Sequence, residues 1–358
     1  MIIGIDGGML GVTDERLKVG VYRVAYNLLT QLAVIDKKNA YRVYSFIPVD
    51  EFGPRMQNVL LAPSKGYLRL RLPLELRLHP VDLFLGLGQA LPPLLSVPAI
   101  GFVYDLGFLF NPDAYGNAAT KLRIQTKHLV KNATHIVAIS SSTKSDIMQQ
   151  FSIHQSNITV AYPGVDERFY LNRASLGHPR PYFLFVGSLN KAKDIPLLLE
   201  SFATFLQTTK NTVDLLLVGG EYWPDPHIDE RIARYKLEDR VVKLGHVADN
   251  ALPGYYRGAI AFVTTARHEG FCLPAVEAMA CGTPVIAVNR GALPEIVGDG
   301  GLVTHADTHH VSEAMKRMMK KSLRSRLSEI ALTRSKQFSW ATFAHNVLAL
   351  IETYGHQA

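Results

Sequence analysis

Short apolar runs alternate with helical patterns along the first half of the chain. Ile2–Ile5 reads as a strand that opens into a glycine-rich loop. From Val21 the apolar positions Val24, Ala25, Leu28 and Leu32 recur at helical spacing. Tyr41–Phe46, Val81–Leu85, Ile100–Tyr104 and Ile136–Ile139 read as further strands. The last ends in SSST, where a hydroxyl can cap a helix beginning near Lys144. A second series starts after residue 180. PYFLFVG is a strand, Ile195–Leu206 a leucine-rich helix, and DLLLVGG, 259–265 and 284–288 are strands. The β-α-β order predicts parallel sheets covered by helices on both faces.

Between the two series lies ERFYLNRASLGHPRPY, which is polar, carries Gly177, Pro179 and Pro181, and has no periodicity. It predicts a linker near residues 170–180. The expected organisation is an N-terminal domain over 1–172, a C-terminal domain over 173–337, and a helix over 338–358. That helix can pack on either domain, with a return to the first as the expectation. In such sheets ligands sit outside the carboxyl ends of the strands, which predicts a site in a central cleft between two facing domains.

The length of 358 residues fits two cores that each bury most of their chain. Apolar residues at 47% and charged residues at 19% exclude a disordered chain. Two cysteines, Cys272 and Cys281, exclude a disulfide scaffold and fit a reducing compartment. MIIGIDGG has neither the basic nor the long apolar region of a secretory signal. The most apolar window, Val81–Tyr104, is interrupted by Pro92, Pro93 and Pro98, so two buried strands explain it better than a membrane span. A net charge of +7 allows nucleic acid, an anionic membrane surface or an anionic substrate as partner. No aromatic-interleaved basic run or zinc-finger pattern supports nucleic acid. There is no GxxxxGK[ST], no GxGxxG after the first strand, no GxSxG, and no D-x-D pair to hold a metal on a diphosphate.

The chemistry concentrates in RHEGFCLPAVEAMACGTPVIAV, residues 267–288. Pro274 suits the first turn of a helix and Gly282 its end, so a helix of about two turns starts at the tip of a strand. Its first amides and positive dipole end favour an anion. Glu269 precedes this helix and Glu277 lies in it. Two carboxylate acceptors flanking an anion site suit a sugar, a diphosphate and a ribose laid end to end.

This stretch resembles the E-x7-E signature of retaining glycosyltransferases of family 4, which have the GT-B fold of two Rossmann-like domains. FVGSLNKAKDIPLLLESF looks like the family's strand, phosphate loop and helix, and VVKLGHVADNALPGYYRGAIAFV like its nucleotide-base segment. HIVAISSSTKSDI, AYPGVDERF and KQFSW also match, so the resemblance covers nearly the whole chain. It implies that Glu277 binds the donor ribose. Glu269 binds the sugar hydroxyls, with backbone amides from Gly270, Phe271, Cys272 and Leu273. Lys193 pairs with the diphosphate, Gly187 and Ser188 let the backbone approach it, and His246 and Val247 border the base. Lys193, Glu269 and Asp105 are the implied catalytic candidates. Gly7, Gly8, Gly20, Arg23 and Tyr104 are the implied acceptor side.

Three departures stand out. Tyr104-Asp105 occupies the place where the family often has His-Asp, and tyrosine is a poor base at neutral pH. EGFC replaces the usual EGFG, so a side chain at Cys272 narrows the space beside the sugar. Ala192 precedes Lys193 where many members carry arginine. Elsewhere, His305, Asp307, His309 and His310 cluster like a metal site, although such a loop before a helix more often caps it. YLRLRLPLELRLHP, residues 67–80, reads either as a helix face that meets anionic lipid or as a helix covering the N-terminal sheet with solvated arginines.

The implied activity is a retaining, metal-independent transfer of a hexose from a nucleotide-diphosphate sugar, with no further cofactor. GDP-mannose is preferred over a UDP- or dTDP-sugar. The acceptor is a glycan or lipid-linked saccharide of surface polysaccharide synthesis, and the enzyme is cytoplasmic, peripheral to the inner face of the membrane. A sugar-nucleotide epimerase of the same fold and an inactive scaffold paralogue are the alternatives.

Overall fold

The computed structural model describes residues 1–355 except 15, 17, 19, 172–174, 176, 210 and 221–224. The chain forms two compact units. The first comprises Met1–Leu106, Asn117–Gly164 and Ser339–Ala358; the second comprises Gly107–Gly116 and Val165–Phe338.

The first unit is built on a seven-stranded sheet of order β3-β2-β1-β4-β5-β6-β7. Its strands are β1 (Ile2–Asp6), β2 (Ala40–Ser45), β3 (Met56–Leu60), β4 (Leu83–Gly86), β5 (Ala99–Val103), β6 (His135–Ala138) and β7 (Ile158–Val160). All pairs are parallel. β4, β5 and β6 are buried along their full length, as expected of strands covered on both faces. Ser140 caps the helix Ser141–Phe151 by accepting from the Thr143 amide at 3.0 Å, so the SSST hydroxyl does close that helix. The last helix, Trp340–Gly355, buries Phe343, Val347 and Ile351. Phe343 packs edge-on to Phe102 of β5.

The second unit carries a six-stranded parallel sheet of order β10-β9-β8-β11-β12-β13. Its strands are β8 (Tyr182–Val186), β9 (Asp214–Val218), β10 (Val241–Gly245), β11 (Ala261–Thr264), β12 (Val285–Val288) and β13 (Gly301–Thr304).

The passage between units falls at Gly164–Val165, earlier than the polar stretch near 170–180. The boundary expected at 172/173 itself lies outside the described residues. Packing marks the passage better than composition does. A Cβ on Gly164 would stand 2.1 Å from the Trp340 amide nitrogen, so AYPG and KQFSW meet where the chain crosses. The described part of the polar stretch is tied into the second unit instead. Asp214, nearly buried at the start of β9, holds His178 at 2.7 Å and Arg180 at 3.0 Å.

Residues 67–78 form one continuous helix that begins with a wide π turn, Tyr67–Arg71. Both readings of this segment find a face. Tyr67, Leu72 and Leu76 are buried, while Leu70, Leu74 and Leu78 are 72%, 58% and 63% exposed at four-residue spacing. Lys65, Arg69 and Arg77 are exposed around that leucine row. Asp307 caps the helix Thr308–Met318 by accepting from the His310 amide at 3.0 Å, which accounts for the His-Asp cluster as a cap.

Candidate active site

In the second unit, the loops after β8, β9, β10, β11 and β12 all leave from the carboxyl edge of the sheet. Glycines let them come close. Gly187 takes φ 149° after β8 and Gly219 takes φ 140° after β9. A Cβ on Gly219 would lie 1.9 Å from the Gly187 carbonyl oxygen, so no other residue fits. The Gly219 amide donates to the Gly245 carbonyl at 2.8 Å, which joins the end of β10 to the group. Ser188 follows Gly187, and the exposed His246 and half-buried Val247 follow Gly245.

Two loops then bring the charged groups together. Asn190 caps a short turn, Lys191–Lys193, by accepting from the Ala192 amide at 3.1 Å. Thr265, just past β11, donates to the carbonyls of Lys193 at 3.2 Å and Asp194 at 2.9 Å. The Arg267 amide donates to the Ala192 carbonyl at 2.9 Å. This stitching sets the Lys193 ammonium against Glu269, with Nζ to Oε1 at 2.5 Å. The two residues that sequence reasoning placed at the diphosphate and at the sugar are thus an ion pair, and both side chains are largely shielded from solvent.

Glu269 is held from its other side by the loop after β12. The Ala292 amide donates to the Glu269 carbonyl at 2.8 Å. Gly291 lies alongside with φ 55°. Beyond Gly270, Phe271 and Cys272, the helix Leu273–Ala280 begins with Pro274 in its first turn. It has no side-chain cap hydrogen bond and no acidic residue in its first turn, so the positive end of its dipole is not offset there. Phe271 is buried against the ring of Phe338 from KQFSW. Leu273 is half-buried at the first position of the helix.

Cys272 takes φ 77°, a left-handed conformation that suits glycine. The EGFC departure therefore carries a backbone cost as well as a steric one. Burial pushes the Cys272 thiol up, and the Glu269 carboxylate adds to the shift. Burial also pushes the Cys281 thiol up, to about 12.

Glu277 is 6% exposed, so it is no surface residue of its helix. Its Oε2 accepts from the Tyr256 hydroxyl at 2.9 Å. Burial and the neighbouring carboxylate drive Tyr256 well above the usual phenol range, so it stays a donor to Glu277. Tyr256 thus holds Glu277 in place, a contact that sequence reasoning did not single out.

Arg290 and Arg267 were also missed. Asp194, at φ 51°, holds Arg290 at 3.0 Å and Arg267 at 3.8 Å. Arg267 also reaches Asp113 at 3.1 Å, and the His268 ring lies 4.8 Å from that of Phe110. Lys191, Asp194, Arg267 and Arg290 are among the residues that line a cavity of about 450 Å³. Two arginines thus flank the residue after Lys193, although Ala192 stands where the family often has one.

The acceptor-side candidates lie in the first unit. Gly7 packs on the end of β2: its amide donates to the Tyr44 carbonyl at 2.7 Å, and a Cβ would meet Val43 at 2.7 Å. That contact by itself demands glycine at position 7. Gly8 donates its amide to Asp6 Oδ1 at 3.0 Å. Gly20, at φ 46°, precedes the helix Val21–Ile35, in which Arg23 is half-buried. Tyr104 departs from its expected role. It is buried, and its hydroxyl donates to the Leu87 carbonyl at 2.8 Å, so it stabilises the strand ends and presents no hydroxyl outward. Burial holds Tyr104 above the ordinary phenol range. Asp105 follows it, half-buried, with its carbonyl accepting from Gln89 at 3.0 Å.

The profile of the family "Glycosyl transferases group 1" matches residues 168–334. An O-antigen chain mannosyltransferase B from Escherichia coli is 36% identical over 256 residues, covering 68% of this chain and 67% of that protein. A mannosylfructose-phosphate synthase from Agrobacterium fabrum is 28% identical over 297 residues, covering 74% and 65%. Among solved structures, a sucrose-phosphate synthase from Thermosynechococcus elongatus superposes with a TM-score of 0.80 at 19% identity, covering 100% of both chains. The two units together have the GT-B fold.

Proposed function

The chain belongs to the group 1 glycosyl transferases, and from that premise we propose a retaining, metal-independent hexosyltransferase that uses a nucleotide-diphosphate sugar. GDP-mannose is the preferred donor in this reading, which the likeness to a mannosyltransferase supports. The acceptor is a glycan or lipid-linked saccharide of surface polysaccharide synthesis. One observation carries the reading: the Lys193–Glu269 pair beside the uncapped start of Leu273–Ala280.

A bound diphosphate competes with Glu269 for Lys193. It brings the ammonium and the helix amides onto oxygens that gain charge as the bond to the sugar breaks. Glu269, released from the pair, accepts hydrogen bonds from sugar hydroxyls. The acceptor oxygen then bonds to the anomeric carbon on the face the phosphate leaves, and its proton passes to the departing phosphate oxygen. Glu277, fixed by Tyr256, accepts from the ribose hydroxyls. Arg290 and Arg267 add positive charge near the phosphates without needing a metal ion.

Thermal unfolding with GDP-mannose, UDP-glucose and dTDP-glucose tests the donor. At a hundred times Kd a bound donor adds about 2.7 kcal/mol of stability. Incubation with the donor that shifts the transition separates activities: slow hydrolysis supports a transferase, an epimerised sugar supports the epimerase alternative, and neither supports a silent paralogue.

Among the described residues no helix is long and apolar enough to cross a membrane. The exposed leucine row 70, 74, 78, ringed by Lys65, Arg69 and Arg77, supports peripheral contact with an anionic membrane surface in this reading.

A further inference from the structure

A second cavity of the second unit lies at the amino edge of its sheet, opposite the edge that carries Lys193 and Glu269. Residues 177–182 lead into β8 and residues 258–260 lead into β11, the two paired strands at the centre of that sheet. With Arg324, from the first turn of the helix Lys321–Ser335, they enclose about 470 Å³. That volume is in the range of small-ligand sites. The length of β8 keeps it about 15 Å from the candidate active site. We propose that this cavity binds the phosphate group of a phosphomonoester, at a site separate from that of the donor.

The charge of the lining is one-sided. His178, Arg180 and Arg324 line the cavity, and among the described residues no carboxylate does. One buried carboxylate behind it, Asp214, serves three basic side chains: His178 at 2.7 Å, Arg180 at 3.0 Å and Arg240 at 3.8 Å. Asp214 is oversubscribed, since Arg240 Nη1 is buried with no hydrogen-bond partner among the described residues. Arg324 meets carbonyls alone, donating from Nη1 to Met318 at 2.9 Å and Met319 at 3.0 Å. Lys316, Arg317, Lys320, Lys321 and Arg326 surround it in sequence, all exposed, and no acid stands between 316 and 326. Of these, only Lys316 finds a carboxylate among the described residues, Glu313 at 3.4 Å. Such a run raises the local concentration of an anion at the mouth.

The free donors match phosphate geometry. Within the protein Arg180 uses only Nη1, on Asp214 and on the Asp239 carbonyl. Arg324 likewise uses only Nη1. Each keeps its Nε–Nη2 edge, which makes paired bonds to two oxygens of one anion. Both residues line one cavity, so both edges can serve one ligand. A phosphomonoester offers three terminal oxygens and nearly two negative charges, enough for both. A carboxylate, with two oxygens and one charge, satisfies one edge.

Isothermal titration of the full chain with inorganic phosphate tests the site in wild type, Arg324→Gln, Ser175→Glu and Lys193→Ala. Arg324→Gln removes one edge. Ser175 is exposed on the lining, and Ser175→Glu brings in a carboxylate without removing a charged contact, so it decides the matter if Arg324→Gln fails to fold. We expect wild type to bind with Kd about 1 mM or tighter. Lys193→Ala should keep that affinity, and Arg324→Gln and Ser175→Glu should each weaken it about tenfold or more. No binding in wild type overturns the proposal, as does wild-type affinity in a folded Arg324→Gln or Ser175→Glu. Loss in Lys193→Ala alone assigns the anion to the donor site and overturns it too. The same variants are then titrated with glycerol 3-phosphate and with phosphatidylcholine vesicles containing phosphatidic acid. Tighter binding of glycerol 3-phosphate than of inorganic phosphate, weakened by the variants, marks a soluble ligand. Variant-sensitive binding to the vesicles alone marks a lipid headgroup. If neither responds to the variants, the phosphomonoester proposal is overturned.

Discussion

Gly291→Ala tests how the Glu269 carboxylate is held. A Cβ at this position would lie 2.4 Å from the Glu269 carbonyl oxygen and 2.8 Å from its amide nitrogen, where ordinary contact begins at 3.4 Å. Both neighbours are backbone atoms, so no side chain can swing aside. Either the 290–292 loop or the Glu269 backbone must move by about 1 Å, and the Ala292–Glu269 hydrogen bond stretches with it. A misplacement of about 1 Å at a reacting centre lowers turnover by roughly 10²-fold. Placing alanine at φ 55° adds a backbone penalty of roughly 1–2 kcal/mol. Gly116→Ala is the control: it has φ 52° and nothing within 4 Å of a Cβ, so it carries the backbone penalty alone. The assay compares donor turnover and urea unfolding for both variants. Gly291→Ala should lose activity by about 10²-fold and more stability than the control. Equal stability loss in the two variants, with turnover within about twofold of wild type, would refute the steric argument.

Lys193→Ala should lower kcat by about 10² to 10³ under the proposed reading, in which its charge acts most on the leaving diphosphate. Glu277→Gln, which can still accept from Tyr256, should mainly raise the donor KM; the opposite split in steady-state kinetics would reverse the two assignments. Turnover should survive EDTA, and loss on chelation restored by manganese would contradict the metal-free reading. Cys281, pushed up to about 12, should be alkylated roughly 10³-fold more slowly than a free thiol at pH 8, rising with pH toward that value; labelling of the folded protein at the free rate would contradict it. Co-sedimentation with anionic vesicles should occur and fall as salt rises, and equal binding to neutral vesicles would remove the lipid reading of residues 67–78.

The strands that sequence reading recovered and those it missed divide by position. β1, β2, β4, β5, β6, β8, β9, β11 and β12 were each legible as apolar runs. β3, β7, β10 and β13 were not, and they are the four edges of the two sheets. An edge strand is partly wet, so MQNVL or GLVT is not buried along its length as the inner strands are. Around the candidate site, Glu269, Glu277 and Lys193 stand out in the sequence because each sits in a dense local motif. Arg267, Arg290 and Tyr256 do not, because they converge from separate loops with no spacing to betray them. The left-handed backbone at Cys272 needed a φ angle.

The second unit is discontinuous in the gene. Residues 107–116 are encoded between segments of the first unit, yet they fold with the second, where Asp113 meets Arg267 and Phe110 meets His268. A recombination event that exchanges only residues 165–338 would graft a foreign partner onto this decapeptide. Hybrids with new donor specificity should therefore arise more readily when both breakpoints of 107–116 travel with the larger segment. Among descendants of this chain, changes at Asp113 and Arg267 should then be inherited together, although 153 residues of sequence separate them.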